Sequence, residues 1–119
     1  MLKDAECFTH IYLRTGRTDM RLGIDGLLTV IVGQMGLDPT EPGSVFLFCG
    51  RKKNRLKVLI FEGDGWLLCY KRLTGDCSYQ WSRDENEARK LTKQQFCWLM
   101  KGLSIEQKKV IKDTKPDIY

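Results

Sequence analysis

The sequence predicts an α+β fold: a mostly antiparallel sheet, made of a first strand plus a four-strand meander, packed by one N-terminal helix and by C-terminal helices. Two patterns carry this expectation. Between residues 45 and 81, four runs rich in β-branched and aromatic residues follow one another, separated by short Gly/Asp turns. On either side of them lies an apolar stripe at helical spacing, the second one behind a capping-box sequence.

His10-Ile11-Tyr12-Leu13-Arg14 alternates apolar and polar residues and stops at Thr15-Gly16, as a half-buried strand does before a turn. Thr18 is then placed to cap a helix, with Asp19 in its positive first turn. Met20, Ile24, Leu27, Leu28, Ile31 and Met35 share one helical face, and Gly36 ends it. Gly23, Gly26 and Gly33 are unusual inside a helix, where each costs about 1 kcal/mol relative to Ala, and close backbone packing would account for them. Pro39 and Pro42 make 36–44 a loop.

The meander consists of Val45–Cys49, Leu56–Glu62, Trp66–Leu73 and Cys77–Trp81. The turns Gly63-Asp64-Gly65 and Thr74-Gly75-Asp76 hold residues that tolerate the positive φ of tight hairpins, and short turns force antiparallel neighbours. In the second run Leu56, Val58 and Ile60 alternate with Lys57, Leu59 and Phe61, so both faces are partly apolar and helices are expected to cover much of the sheet. Thr92 with Gln95 has capping-box form, and Phe96, Leu99, Met100 and Leu103 set a helix over 93–101. From about 103 the chain reads as a partly helical, basic tail that frays towards residue 119.

The 119 residues fit a single domain, residues 1–119, with one core. The first six residues carry two acids and no apolar h-region, and no later apolar run nears the roughly 18 residues that span a bilayer. The expectation is a cytoplasmic protein with no membrane contact. The five cysteines are odd in number and lack zinc-ligand spacing, so they read as reduced structural thiols.

Net charge is +5, but its placement says more than its size. Arg51, Lys52, Lys53, Arg55 and Lys57 fall within seven residues that contain no acid, whereas the first 36 residues balance four Lys/Arg against four Asp/Glu. At a hairpin tip such residues would project beyond the sheet and neutralise phosphates, with Lys71 and Arg72 extending the patch. A solvated turn explains the run as simply. Trp66, Tyr79 and Trp81 offer faces for base stacking, yet their alternation is that of strand residues, which are more often core or interface anchors.

Catalytic chemistry finds little support. His10 is the single histidine and sits on a strand, which leaves a Cys–His pair without a base in a suitable place. Asp19, Asp25, Glu62 and Asp64 suggest a carboxylate cluster for metals only until each is read locally: Asp19 starts a helix, Asp25 pairs with Arg21 one turn away, and Asp64 belongs to a turn. Gly23-Ile24-Asp25-Gly26 has the form of the loop with which KH domains clamp a nucleic-acid backbone, but the apolar periodicity runs through it, as in a helix interior. No catalytic residue, metal, cofactor or small-molecule substrate is expected.

Phe48-Cys49-Gly50-Arg51-Lys52-Lys53-Asn54-Arg55-Leu56-Lys57, followed by Glu62-Gly63-Asp64-Gly65-Trp66 and Tyr70-Lys71-Arg72-Leu73, resembles the TnpB-type (Orf-two-like) accessory proteins of insertion sequence family sixty-six. The resemblance extends upstream to 18–26 and downstream to 91–105, with Asp19, Arg21, Gly23, Asp25, Gly26, Gly50, Arg55, Lys57, Gly65, Lys71 and Arg72 at motif positions. Phe61, where Trp or Tyr is usual, and the inserted Asp76-Cys77-Ser78 depart from the pattern. The resemblance implies a bacterial accessory protein needed for transposition beside a separate transposase. The RNA-guided nucleases that share the letters TnpB are much longer and carry a carboxylate triad and zinc cysteines. Two functions follow as expectations: DNA binding through the basic hairpin, or bridging between the transposase and another accessory protein of the same element. DNA nicking is a third and weaker reading.

Overall fold

The computed structural model describes residues 8–83 and 87–106. Strand β1 (His10–Arg14) leads through helix α1 (Ile24–Thr29), which continues as a π-helical turn (Val30–Gln34), into β2 (Ser44–Cys49). Then come β3 (Arg55–Phe61), β4 (Trp66–Arg72), β5 (Ala88–Leu91) and helix α2 (Lys93–Met100). The five strands form one sheet in the order β4-β3-β2-β1-β5. All neighbours are antiparallel except β1 and β2, which run parallel with Ile11 opposite Val45 and Leu13 opposite Leu47. A parallel pair needs a crossover connection, and residues 15–43 with α1 supply it.

Alternation sends side chains to two separate cores, one on each face of the sheet, where the sequence expectation was a single core. On one face, Phe46, Phe48 and Leu59 meet Leu27, Val30, Ile31 and Met35 from α1 and its π turn. On the other, Ile11, Leu13, Val45, Leu47, Leu56 and Val58 meet Phe96 and Leu99 of α2, with Tyr79 and Trp81 from the β4–β5 connection. β2 is therefore buried along its whole length, which is why its sequence is a continuous apolar run rather than an alternating one.

The fold class and the first three meander strands match the sequence expectation, with ends shifted by one residue. Helix α2 also matches: Thr92 Oγ1 accepts from the Gln95 amide, and the Gln95 side chain accepts from the Thr92 amide. Two expectations about the elements fail as well. The run Cys77–Trp81 is not a strand but a strap across the second core, and the fifth strand is Ala88–Leu91, paired with β1. Tyr79 and Trp81 are indeed core anchors, 1% and 7% exposed, and Trp81 Nε1 donates to the Arg14 carbonyl.

The second correction concerns the first helix, which starts at Ile24 with Gly23 as N-cap, not at Thr18. Thr18 instead docks on the sheet, its amide donating to the Cys49 carbonyl at 2.8 Å. Asp19 and Arg21 form a side-chain-closed turn, so the expected Asp25–Arg21 pair is replaced by Asp19–Arg21 at 3.0 Å. Residues 23–26 thus cap and open the helix. Close packing explains only Gly26, where a Cβ would lie 2.8 Å from Leu22 Cδ2; the surroundings of Gly23 and Gly33 are open. The basic tail falls mostly on 107–119, outside the described residues, although Ile105 before it is buried in the α2-side core.

Because Gly33 meets nothing and sits in a helical turn, Gly33→Ala is expected to raise stability by about 0.5–1 kcal/mol in urea denaturation. Gly26→Ala gains less, since Leu22 must turn aside; a loss of stability at position 33 would contradict its open surroundings.

Candidate functional site

The chain direction fixes what gathers at one end of the sheet. β1 and β2 end there, at Arg14 and Cys49; β3 and β5 begin there, at Arg55 and Ala88; β4 ends there, at Arg72. The segments 15–23, 50–54 and 73–83 therefore meet at the same end.

Two clefts open in this end, on either side of Gly50-Arg51. One, of about 480 Å³, is lined by Arg17, Arg51, Lys53 and Arg83 with Glu87, and Trp81 forms part of its wall. The other, of about 530 Å³, lies between the 17–21 segment and the β2–β3 hairpin and is lined by Arg17, Arg21, Arg51, Lys52 and Arg55 with Asp19. Among the described residues seven cations thus share the two clefts with two carboxylates, and both carboxylates are in ion pairs: Asp19 with Arg21, and Glu87 with Arg14 at 3.3 Å. The field from the described residues at this end is positive, with Arg21 the one of the seven cations held in an ion pair among them.

Arg14 holds the arrangement. Its Nη1 donates to the Arg17 carbonyl at 3.0 Å and to Thr18 Oγ1 at 3.1 Å, while Nη2 donates to the Gln34 side chain and to Glu87. One planar guanidinium with five donors ties β1, the 17–18 segment, the π turn and the approach to β5. The π turn contributes through its geometry, since Met35 donates back to Val30, five residues earlier, and Gln34 lies at its end. On the hairpin side, Gly50 lets Met20 approach, because a Cβ there would stand 2.6 Å from Met20 Cγ.

The hairpin tip does not project as a free finger. The Lys53 carbonyl accepts from the Tyr79 amide and the Asn54 carbonyl from the Leu73 amide, which clamps the tip between the strap and the end of β4. Arg51 and Lys52 are exposed; Lys53 and Arg55 are half-buried. Of the residues expected to bind, Arg51, Lys52, Lys53 and Arg55 come together at the clefts. Lys57 does not: its Nζ donates to the Leu22 carbonyl at 2.8 Å and lies 5.7 Å from the Tyr70 ring, tasks that hold the 20–22 turn on the sheet. Lys71 pairs in register with Leu56 and is exposed outside the clefts, and Arg72 stands in register opposite Arg55. Gly65 is at the far end of the sheet, and Gly23, Asp25 and Gly26 belong to the start of α1.

Sequence reasoning missed Arg14, Arg17 and Arg83. Arg14, Arg17 and Arg21 recur every three or four residues, a signal that was available; Arg83 offered none. Tyr79 and Trp81 are too buried to stack bases. Among the described residues no group of three or more His, Cys, Asp or Glu could hold a metal, and no helix is long and apolar enough to cross a membrane. Cys49, beneath Gly50, is a poor nucleophile, since burial pushes its thiol up to about 11.

The model of the family described as IS66 Orf2 like protein matches residues 9–110, which includes every residue that lines the clefts. The chain belongs to the IS66 Orf2-like family. Membership assigns it an accessory role in transposition. It is also similar to the uncharacterized protein y4hO of Sinorhizobium fredii, 32% identical over 93 residues that cover 78% of this chain and 79% of that protein. No solved structure matches it.

For this IS66 Orf2-like chain the ion pair at the cleft gives a pH signature. Hydrogen bonds from the Arg21 side chain, then from its amide, hold the Asp19 carboxyl down at about 2 instead of 3.8. A carboxyl depressed in the folded state contributes stability that is complete above the unfolded value and lost as pH falls through the folded one. Stability is therefore expected to decline between about pH 4 and pH 2 through this group, less so in high salt because the pair is exposed. Asp19→Asn should flatten that part of the pH profile, and a carboxyl NMR titration of Asp19 with a midpoint near 4 would refute the pairing.

Proposed function

We propose that this protein is a non-catalytic accessory factor of transposition in the bacterial cytoplasm that binds DNA through the basic end of its sheet. The observation that carries this reading is the charge balance of the two clefts among the described residues: Arg17, Arg21, Arg51, Lys52, Lys53, Arg55 and Arg83 converge there, and the two carboxylates among them are already in ion pairs. Such a surface releases counterions when it meets phosphates, so binding strength falls with salt by about 0.9 logarithmic units per phosphate neutralised. No base-reading motif accompanies it, so the contacts position the protein on the backbone and leave sequence choice to the transposase. The seat of binding differs from the sequence expectation: Lys57 is structural, and Arg17, Arg21 and Arg83 take part.

Binding to duplex DNA from the transposon ends is expected to weaken steeply with salt in fluorescence anisotropy. The triple change Arg51→Ala, Lys52→Ala, Lys53→Ala should reduce the slope by about 2–3 units, since each phosphate contact contributes about 0.9. A slope unchanged by the triple variant would overturn the reading.

Assembly with the transposase or the other accessory protein of the element is a second reading, compatible with the first, and β4 is the feature that favours it. Among the described strands β4 is an outer one, paired only with β3, and Tyr70 on it is 53% exposed. An open edge accepts a further strand. Co-purification with the transposase in high salt after nuclease treatment, lost on Tyr70→Asp, is the expected result; failure to co-purify at any salt would refute it.

A further inference from the structure

One of the two basic clefts has features beyond a general positive field. We infer that the cleft between the 17–21 segment and the β2–β3 hairpin is a built site for a single phosphate group, with Arg55 as its principal ligand and Arg17, Arg21 and Arg51 around it. This deepens the DNA-binding reading and rests on it.

The argument starts from Arg55. It is the first residue of β3, half-buried, and the sheet register sets it directly opposite Arg72. Like charges directly opposite on neighbouring strands destabilise a sheet. Burial makes matters worse, because Arg55 Nε is shielded from solvent and has no acceptor among the described residues. A guanidinium in that position carries a desolvated donor and a repulsive neighbour, and neither is compensated among the described residues. An anion accepting from Arg55 would relieve both.

The rest of the cleft suits a tetrahedral, doubly accepting anion. Guanidinium groups present two parallel N–H donors that match phosphate oxygens, and Arg17, Arg21 and Arg51 line the same space as Arg55. The one carboxylate, Asp19, is engaged by Arg21 Nε at 3.1 Å and Nη2 at 3.0 Å, so it fixes the Arg21 fork on the cleft wall rather than competing for the other arginines. The Arg21 amide closes the turn onto Asp19 Oδ1 at 2.9 Å, and the Thr18 amide anchors the segment to Cys49. Both walls are thus held before any ligand arrives, and a site whose groups are preset loses less on binding.

A phosphate in this cleft is either an internal phosphodiester of DNA or a terminal phosphate at a strand end. The full-length protein and its Arg55→Met variant, which keeps the aliphatic stem, would be followed by thermal unfolding with and without inorganic phosphate. They would also be titrated with two oligodeoxynucleotides that differ only in a 5′-phosphate or 5′-hydroxyl. Without ligand, Arg55→Met is expected to unfold about 2–6 °C higher, because it removes the buried donor and the repulsion. Inorganic phosphate should raise the midpoint of the wild type and not of Arg55→Met, and affinity for the better oligonucleotide should fall about ten- to hundredfold. A wild-type preference of tenfold or more for the 5′-phosphate assigns the site to strand ends; equal affinity assigns it to internal phosphodiesters. Equal phosphate stabilisation of both proteins, or none in either while wild type and variant bind DNA alike, would overturn the inference and leave the broader reading standing. Failure of the wild type to bind either oligonucleotide would overturn both.

Discussion

The parallel pairing of β1 with β2 is the constraint on which the molecule turns. Ile11 faces Val45 and Leu13 faces Leu47, so these two strands end side by side. A parallel pair requires a crossover, which forces 15–43 to leave the end of β1 and return to the start of β2, laying α1 over one face of the sheet. The departing segment, 15–22, is thereby held against the end of β2, where the Thr18 amide reaches the Cys49 carbonyl. Had β1 joined in the antiparallel sense, Arg17 and Arg21 would begin at the opposite end from the basic hairpin.

Arg14 turns that topology into a surface. It stands at the last position of β1 with its side chain only 16% exposed, and its guanidinium binds the 17–18 segment, Gln34 and Glu87 together. Using the cation internally has a consequence for the cations around it. Glu87 and Asp19, the acids among the described residues that line the clefts, are occupied by Arg14 and Arg21. The remaining arginines and lysines face solvent-accessible space, and Arg55 carries a buried donor with no partner among the described residues. Natural proteins keep such locally unfavourable groups where a ligand resolves them. The proposed contact with a polyanion, in the accessory role that the family assigns, would resolve these groups in the same way.

Two apolar cores support the site from below. The β2–β3 hairpin that carries Arg51, Lys52 and Lys53 rises from strands whose side chains alternate between the α1 core and the α2 core. Its tip is clamped by the strap through Tyr79 and by β4 through Leu73, so the basic residues are presented on a fixed loop rather than on a free finger. The strap earns its place through burial: Tyr79 and Trp81 fill the α2-side core, and Trp81 adds a hydrogen bond to the end of β1.

The sequence by itself determined the fold class, β1 to β4, helix α2 with its capping box, and the concentration of charge at residues 51–55, because these depend on local alternation, turn chemistry and caps. It also misled where tertiary contacts outweighed local preference. Thr18 was a credible helix cap until the end of β2 offered its amide a partner, and Cys77–Trp81 alternated like a strand because a strap over a core also buries every second residue, here Tyr79 and Trp81. Lys57 counted as part of the basic run, yet a carbonyl from the 20–22 turn claims it. Whether β1 ran parallel or antiparallel, and hence which end of the sheet would hold Arg17, Arg21 and Arg83, only the tertiary structure decided. Strand direction depends on how the apolar face of a distant helix is buried, and no residue of β1 or β2 records it.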